Sequence, residues 1–173
     1  FTIGRDLTLT SGSSTGTNAI IGTGNASFTG GSMQFTVGRN VSLTSTSSQS
    51  YSLIGYGNLV NPSNVTGDIF FNHVGGDMVL QGANSGSGTT GVAQIGHLAG
   101  GISSNTLNGN IFLLVDGSIS VIGGSSAASS YAQIGHGGAP PFTTTGQLTA
   151  IAGTDIIMQS NAGSANIINA GGD

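Results

Sequence analysis

The chain contains no cysteine, no tryptophan, no glutamate and no lysine. Without cysteine there are no disulfides and no thiolate metal sites. The only cations among Lys and Arg are Arg5 and Arg39, and all six acidic residues are Asp. Charged residues make up 5% of the chain, against about 25% in an ordinary soluble domain. Long surface helices are thereby excluded, because their outer faces are normally filled by Glu, Lys, Arg, Gln and Ala. The net charge of −4 includes no basic cluster, so nothing releases counterions from phosphates and nucleic acid is not an expected partner. No stretch reaches the ~18 apolar residues of a membrane helix. The opening Phe1-Thr2-Ile3-Gly4-Arg5-Asp6 has neither the charged nor the apolar region of a signal peptide, which places any export signal outside these residues.

What is present is glycine, at 32 of 173 residues, together with 36% hydrophobic residues and a mean hydropathy of +0.20. That apolar content is too high for a disordered chain, which is usually strongly charged. An all-β, turn-rich architecture remains.

The chain repeats itself. Ile3-Gly4-Arg5-Asp6-Leu7-Thr8-Leu9 returns as Val37–Leu43, Val74–Leu80, Val115–Val121 and Ala152–Met158, at intervals of 34, 37, 41 and 37 residues. A second motif follows each copy: Ile21-Gly22-Thr23-Gly24, Ile54-Gly55-Tyr56-Gly57, Ile95-Gly96-His97, Ile134-Gly135-His136-Gly137 and a worn form at Ile168-Asn169-Ala170-Gly171. Constant order at similar intervals identifies a repeat architecture. Apolar and polar residues alternate within each copy, the period of a half-buried strand. Each repeat reads as three short strands joined by loops of variable length, with boundaries near 1–32, 33–68, 69–110, 111–147 and 148–173. The third needs one extra residue near Asn72-His73, which reads as a β-bulge.

A unit of this size cannot enclose a core alone, but stacking puts equivalent residues above one another at about 4.8 Å. Four inward columns are expected: Ile3/Val37/Val74/Val115/Ala152, Leu7/Val41/Met78/Ile119/Ile156, Leu9/Leu43/Leu80/Val121/Met158 and Ile21/Ile54/Ile95/Ile134/Ile168. A fifth, Phe1/Phe35/Phe71/Leu113 with Ala150, stacks aromatic rings. The fold expected is a parallel β-solenoid of about five coils, right-handed as parallel crossovers are. The alternatives are an antiparallel sandwich, or two smaller coils per repeat. The turn column Asp6, Asn40, Asp77, Ser118 and Asp155 fits stacking, since each of these side chains closes a turn and charged members are separated by neutral ones.

Gly67-Asp68-Ile69, Gly75-Gly76-Asp77-Met78-Val79-Leu80 and Tyr131-Ala132-Gln133-Ile134-Gly135-His136-Gly137-Gly138 resemble the repeat region of filamentous-haemagglutinin-like adhesins and autotransporter passengers of bacteria. The resemblance covers essentially the whole chain and lies in the repeat itself. It implies a secreted or cell-surface location and a role as adhesin stalk or extracellular filament. Phe1 begins inside a strand and Asp173 ends inside a connection, as expected of a window from a longer array or a filament protomer. The partners expected are neighbouring coils of the same longer chain, identical copies end to end, and host or matrix glycans.

Catalysis, cofactors and bound metals are not expected. Asp68 and Asp77 stand at the two ends of one strand, roughly 30 Å apart if extended, too far for a glycosidase pair. His97 and His136 share a column with Thr23 and Tyr56 and read as stacked rings at a turn, replaceable by Asn, rather than as ligands of one metal. His73 falls at the bulge as a surface residue. Asn25-Ala26-Ser27, Asn40-Val41-Ser42 and Asn64-Val65-Thr66 fit the glycosylation pattern by accident of composition. Two binding roles are the alternatives to a structural one. Carbohydrate binding would use Tyr51, Tyr56 and Tyr131. Ice binding, which Thr8 and Thr10 or Thr143 to Thr145 suggest, would need a Thr column, yet Thr8 stacks over Ser42, Val79, Ser120 and Ile157, so no Thr column persists.

Overall fold

The computed structural model describes residues 1–14, 16–23, 30–47, 49–58, 64–84, 91–99, 105–125, 130–138 and 142–167. Every strand pairing among them is parallel. The fold is an all-β parallel solenoid, and the antiparallel sandwich is excluded.

The strands are β1 (Thr2–Ile3), β2 (Leu7–Thr10), β3 (Ala19–Thr23), β4 (Ser32–Val37), β5 (Val41–Thr44), β6 (Tyr51–Asn58) and β7 (Val65–Thr66). They continue as β8 (Asp68–Val74), β9 (Met78–Gln81), β10 (Val92–Ile95), β11 (Leu98–Ala99), β12 (Asn105–Asn108) and β13 (Ile111–Val115). The remainder are β14 (Ile119–Ile122), β15 (Ala132–Ile134), β16 (Gly137–Gly138), β17 (Phe142–Thr145), β18 (Leu148–Ala152), β19 (Ile156–Gln159) and β20 (Ala165–Ile167).

One sheet runs β1-β4-β8-β13-β18 and a second β2-β5-β9-β14-β19. In a third, β6 pairs β3 and β10, and β10 leads to β15 and β20. Two shorter ladders complete the walls. The end of β6 pairs β11 and β11 pairs β16, while β7 pairs β12 and β12 pairs β17. The reading of three strands per repeat is therefore corrected: Leu98-Ala99 and Asn105–Asn108 are strands inside segments whose Gly and Asn content resembles loop. In-register stacking lets even such residues ladder, because each needs only its equivalent beside it.

The expected columns align residue for residue through the first two sheets, but their members Ile156 and Met158 are exposed rather than inward. Val37, Val41, Leu43, Val74, Met78, Leu80, Ile119 and Val121 are fully enclosed. Phe35 lies sandwiched, its ring 4.8 Å from that of Phe1 and 4.5 Å from that of Phe71, both nearly parallel. The bulge is real and falls on Asn72, since Phe35 pairs Phe71 but Thr36 pairs His73. It keeps Val74 inward after one extra residue. One column member is corrected. Ile167, not Ile168, lies beside Ile134, because Ala165-Asn166-Ile167 pairs in register with Ala132-Gln133-Ile134. A slip of one residue would have turned the apolar side chain to the opposite face. The worn motif from Ile168 to Gly171 lies outside the described residues.

The third sheet is buried on both faces along β10. Ile54, Ile95 and Ile134 face the main core, and Gln94 and Gln133, which alternate with them, are also buried. The Gln94 amide nitrogen donates to the carbonyls of His97 and Gly135 at 3.1 and 2.9 Å.

Because Phe35 is enclosed between two rings, Phe35→Ala is expected to cost about 3–5 kcal/mol, read as a shift in the urea unfolding midpoint. Thr36→Ala, on the outer face of the same strand, should change stability by less than about 0.5 kcal/mol.

Candidate functional site

Apart from Ser52, Gln94 and Gln133 within the third sheet, the side chains that combine polarity with burial gather at the corners of the solenoid. At the end of the third sheet the second motif supplies a glycine column, Gly22, Gly55, Gly96 and Gly135. Gly96 has φ +146°, and a Cβ on it would run into the carbonyl of Gly135. The column therefore exists because one backbone lies directly on the next, in a conformation that L side chains rarely adopt.

Beside it stand the rings of Tyr56, His97 and His136. The two imidazoles stack at 4.4 Å with 12° between planes, and Tyr56 tilts onto His97 at 5.4 Å. His136 Nδ1 accepts the backbone N–H of His97 at 2.9 Å, and His97 Nδ1 accepts that of Tyr56 at 3.3 Å. An accepting Nδ1 leaves the proton on Nε2. His97 Nε2 donates to the Gly67 carbonyl at 2.7 Å and His136 Nε2 to the Gly109 carbonyl at 2.8 Å. All four ring nitrogens are thus held by backbone. The rings act as struts tying the end of the third sheet to the glycines that precede strands of the first sheet. A metal ion would have to displace these bonds, and among the described residues no three His, Cys, Asp or Glu side chains converge. An Asn at position 97 is too short to span from the Tyr56 N–H to the Gly67 carbonyl, so the expected interchange with Asn would forfeit one of the two bonds. Thr23 lies in register with Tyr56.

Burial, with the neighbouring His136, depresses the His97 pKa to about 3, and burial depresses that of His136. The bonding pattern agrees, since a proton on Nδ1 would face a backbone N–H.

The turn column bonds differently from the expectation. Asp6, Asn40 and Asp77 do not close their own turns but accept the N–H of the next member of the column. Asn40 N donates to Asp6 Oδ1 at 3.1 Å, Asp77 N to Asn40 Oδ1 at 2.9 Å and Ser118 N to Asp77 Oδ1 at 2.8 Å. Ser118 Oγ meets Thr154 Oγ1 at 2.8 Å, the neighbour of Asp155. Arg39 Nε approaches Asp6 Oδ1 to 3.7 Å. The bond from Asn40 N–H, foremost, holds the Asp6 carboxyl below its ordinary pKa.

Sequence reasoning missed that the same device recurs at other corners. Asn18 accepts from Tyr51 N, Asn64 from Thr106 N, Asp68 from Asn110 N, Asn84 from Ser125 N and Asn110 from Gln147 N. A signal was present: Gly67-Asp68-Ile69, Gly109-Asn110-Ile111 and Gly146-Gln147-Leu148 are copies of one corner. The Asn40 and Asn64 side chains are both occupied in this way, and Asn25-Ala26-Ser27 lies outside the described residues.

Tyr56 is enclosed rather than ligand-facing. Tyr51 and Tyr131 are half-buried, and burial, with the nearby Tyr51, pushes the Tyr131 hydroxyl pKa up. His73 is surface-exposed and pairs through Nε2 with Asp116 at 2.9 Å. A further polar cluster buries Ser11, Ser45, Ser47, Ser50 and Ser52. Ser11 Oγ meets Ser50 Oγ at 2.9 Å, Ser50 Oγ donates to the Ser47 carbonyl at 2.7 Å and Ser52 Oγ to the Thr44 carbonyl at 2.6 Å. These hydroxyls are consumed by structure, with no base among their partners.

Comparison with protein families, with curated proteins and with solved structures gave no match to this chain. The described residues include no helix long and apolar enough to cross a membrane.

Two outcomes follow from the corner. Gly96→Ala should destabilise by about 3 kcal/mol or more, measured by thermal or urea unfolding. For the histidines, the unfolded chain binds the proton first. The His97 contribution to stability is therefore intact above the ordinary value of 6.5 and is lost as pH drops from there toward about 3, by about 1.4 kcal/mol per pH unit, and the depressed pKa of His136 acts in the same direction. Urea midpoints from pH 7 to 4 should show this slope in the native protein and a shallower one in His97→Phe.

Proposed function

We propose that the chain is a structural repeat domain of a bacterial surface or secreted protein, an adhesin stalk or extracellular filament component, and not an enzyme. Each sequence repeat is one coil, giving five right-handed coils in which the fourth and fifth short ladders form the return wall. The observation that carries the reading is continuity. The apolar columns pass from repeat to repeat, and eight Asn or Asp side chains among the described residues bond the next repeat. Main-chain ladders of this kind resist local opening, a property suited to a fibre outside the cell. The resemblance of the repeat to filamentous-haemagglutinin-like and autotransporter passengers supports the same location.

Support for a binding role is weaker. Among the described residues, threonine columns on the outer faces stop at two members, as in Thr10/Thr44 followed by Gln81 and Ile122. That is too short to template an ice face. Of the tyrosines, Tyr56 is interior. The outward aromatic rings of the first sheet are instead Phe70 and Phe112, half-buried neighbours.

Imaging and fibre diffraction of native material test the reading. Stalks or fibres with an axial spacing of about 4.8 Å are the expected result. Compact particles that deplete a glycan from solution would overturn it.

A further inference from the structure

Both side-chain bonds of each corner imidazole run to the layer of the stack before its own. His97 Nδ1 accepts the Tyr56 N–H and its Nε2 donates to the Gly67 carbonyl, while His136 is bound in the same way to the His97 N–H and the Gly109 carbonyl. Gly67 precedes β8 and Gly109 precedes β13, so each ring clamps the exit of the third sheet onto the entry of the first. Main-chain pairing at this corner is short. Strands β7, β11 and β16 have two residues each, whereas the first and second sheets each run through five strands. Gly67, Gly96 and Gly109 bring backbones into contact but carry no side chain to lock them.

The slot accepts only a neutral ring. A protonated imidazole has two donors and no acceptor, so the N–H of Tyr56 or of His97 would be left facing another N–H. The two rings stack at 4.4 Å and are fully buried, and two positive charges so placed repel strongly. Among the described residues, the titratable and charged groups that face the rings are Tyr56, tilted onto His97, and the Asp68 carboxylate. Asp68 attracts both rings when they are charged, but its Oδ1 already accepts the Asn110 N–H at 2.7 Å, and attraction does not restore an acceptor to the two N–H groups. His97 couples the two slots, because its ring accepts from Tyr56 while its own N–H donates to His136.

We infer that this corner is an acid-operated latch: uptake of protons frees both rings, opens the third-sheet exit together with β7, β11 and β12, and leaves the first two sheets closed. Opening uncovers Val65 and Leu107, which are otherwise enclosed in the main core. The depressed pKa of both rings agrees with a slot that rejects charge. The latch is independent of the stalk reading, since a stalk without it remains a stalk.

Amide hydrogen exchange of the 173-residue protein from pH 7 to 4, corrected for the chemical exchange rate at each pH and repeated in low urea, tests this. The amides of Tyr56, Gly67, His97 and Gly109 are all hydrogen-bonded. They should lose protection by about ten-fold per pH unit below 6.5 for each ring released, with little dependence on urea. Those of Val41, Met78 and Ile119, bonded within the second sheet, should stay far better protected and respond strongly to urea, as groups exposed only by global unfolding do. His97→Phe and His136→Phe keep a flat ring in each slot but remove the group that titrates. Each single variant should halve the steepness of the acid response and the double variant should abolish it, with circular dichroism confirming the fold. Corner amides that stay protected at pH 4, that lose protection only in step with Val41, Met78 and Ile119, or that respond to acid equally in the double variant would overturn the latch. Should a variant not fold, the urea dependence of exchange in the native protein decides by itself.

Discussion

Parallel stacking in register is the constraint on which everything else depends. Each residue has its equivalent directly beside it at about 4.8 Å, so a side chain is chosen for what it does to its own column. An apolar column closes a core that no single repeat could close, which is why Val37, Val74 and Val115 are all enclosed while each contributes to a different strand. Register must then be kept over every loop. The bulge at Asn72 shows how an extra residue is absorbed without turning Val74 outward.

The second motif follows from the same closeness. At the exit of the third sheet one backbone rests on the next with no room for a Cβ, and only glycine fits at Gly55 and Gly96. Glycine columns open space beside them for flat rings, and Tyr56, His97 and His136 fill it. An imidazole is well suited here because it carries an acceptor and a donor at opposite ends of a rigid ring. One end accepts a backbone N–H from the preceding layer of the stack and the other donates across the corner. Neutrality is imposed by that geometry, so the acid sensitivity of the corner comes from the bonding itself.

Much of this was legible in the sequence. The four apolar columns, the phenylalanine stack, the bulge and the pairing of His97 with His136 follow from aligning five copies of two motifs. What escaped reading has a common cause. Leu98-Ala99 and Asn105–Asn108 look like loop because strand formation there depends on neighbours rather than on alternation or propensity. Ile167 was missed because Ile168 is also isoleucine, and only the pairing of Ala165 with Ala132 separates them. The direction of the Asp and Asn bonds was hidden as well. Composition says these residues favour turns, but whether Asp77 caps its own turn or the next layer depends on the stacking distance.

The scarcity of charge is a consequence of the same distance. An ionised side chain placed in a column meets its own kind at about 4.8 Å unless the next repeat changes residue, and like charges directly opposite are destabilising. The turn column resolves this by setting Asn40 between Asp6 and Asp77, and Ser118 between Asp77 and Asp155. The neutral members lose nothing in function, since an amide oxygen accepts the same backbone N–H that a carboxylate does. Arg5 and Arg39 are the exception, two like charges in successive layers, and Asp6 lies against them. A chain built for repetition along one axis therefore avoids Lys and Glu for the reason that it favours Asn, Ser and Thr. Hydrogen-bonding side chains can be repeated at that spacing indefinitely, whereas charges can be repeated only where an opposite charge is supplied in the adjoining layer.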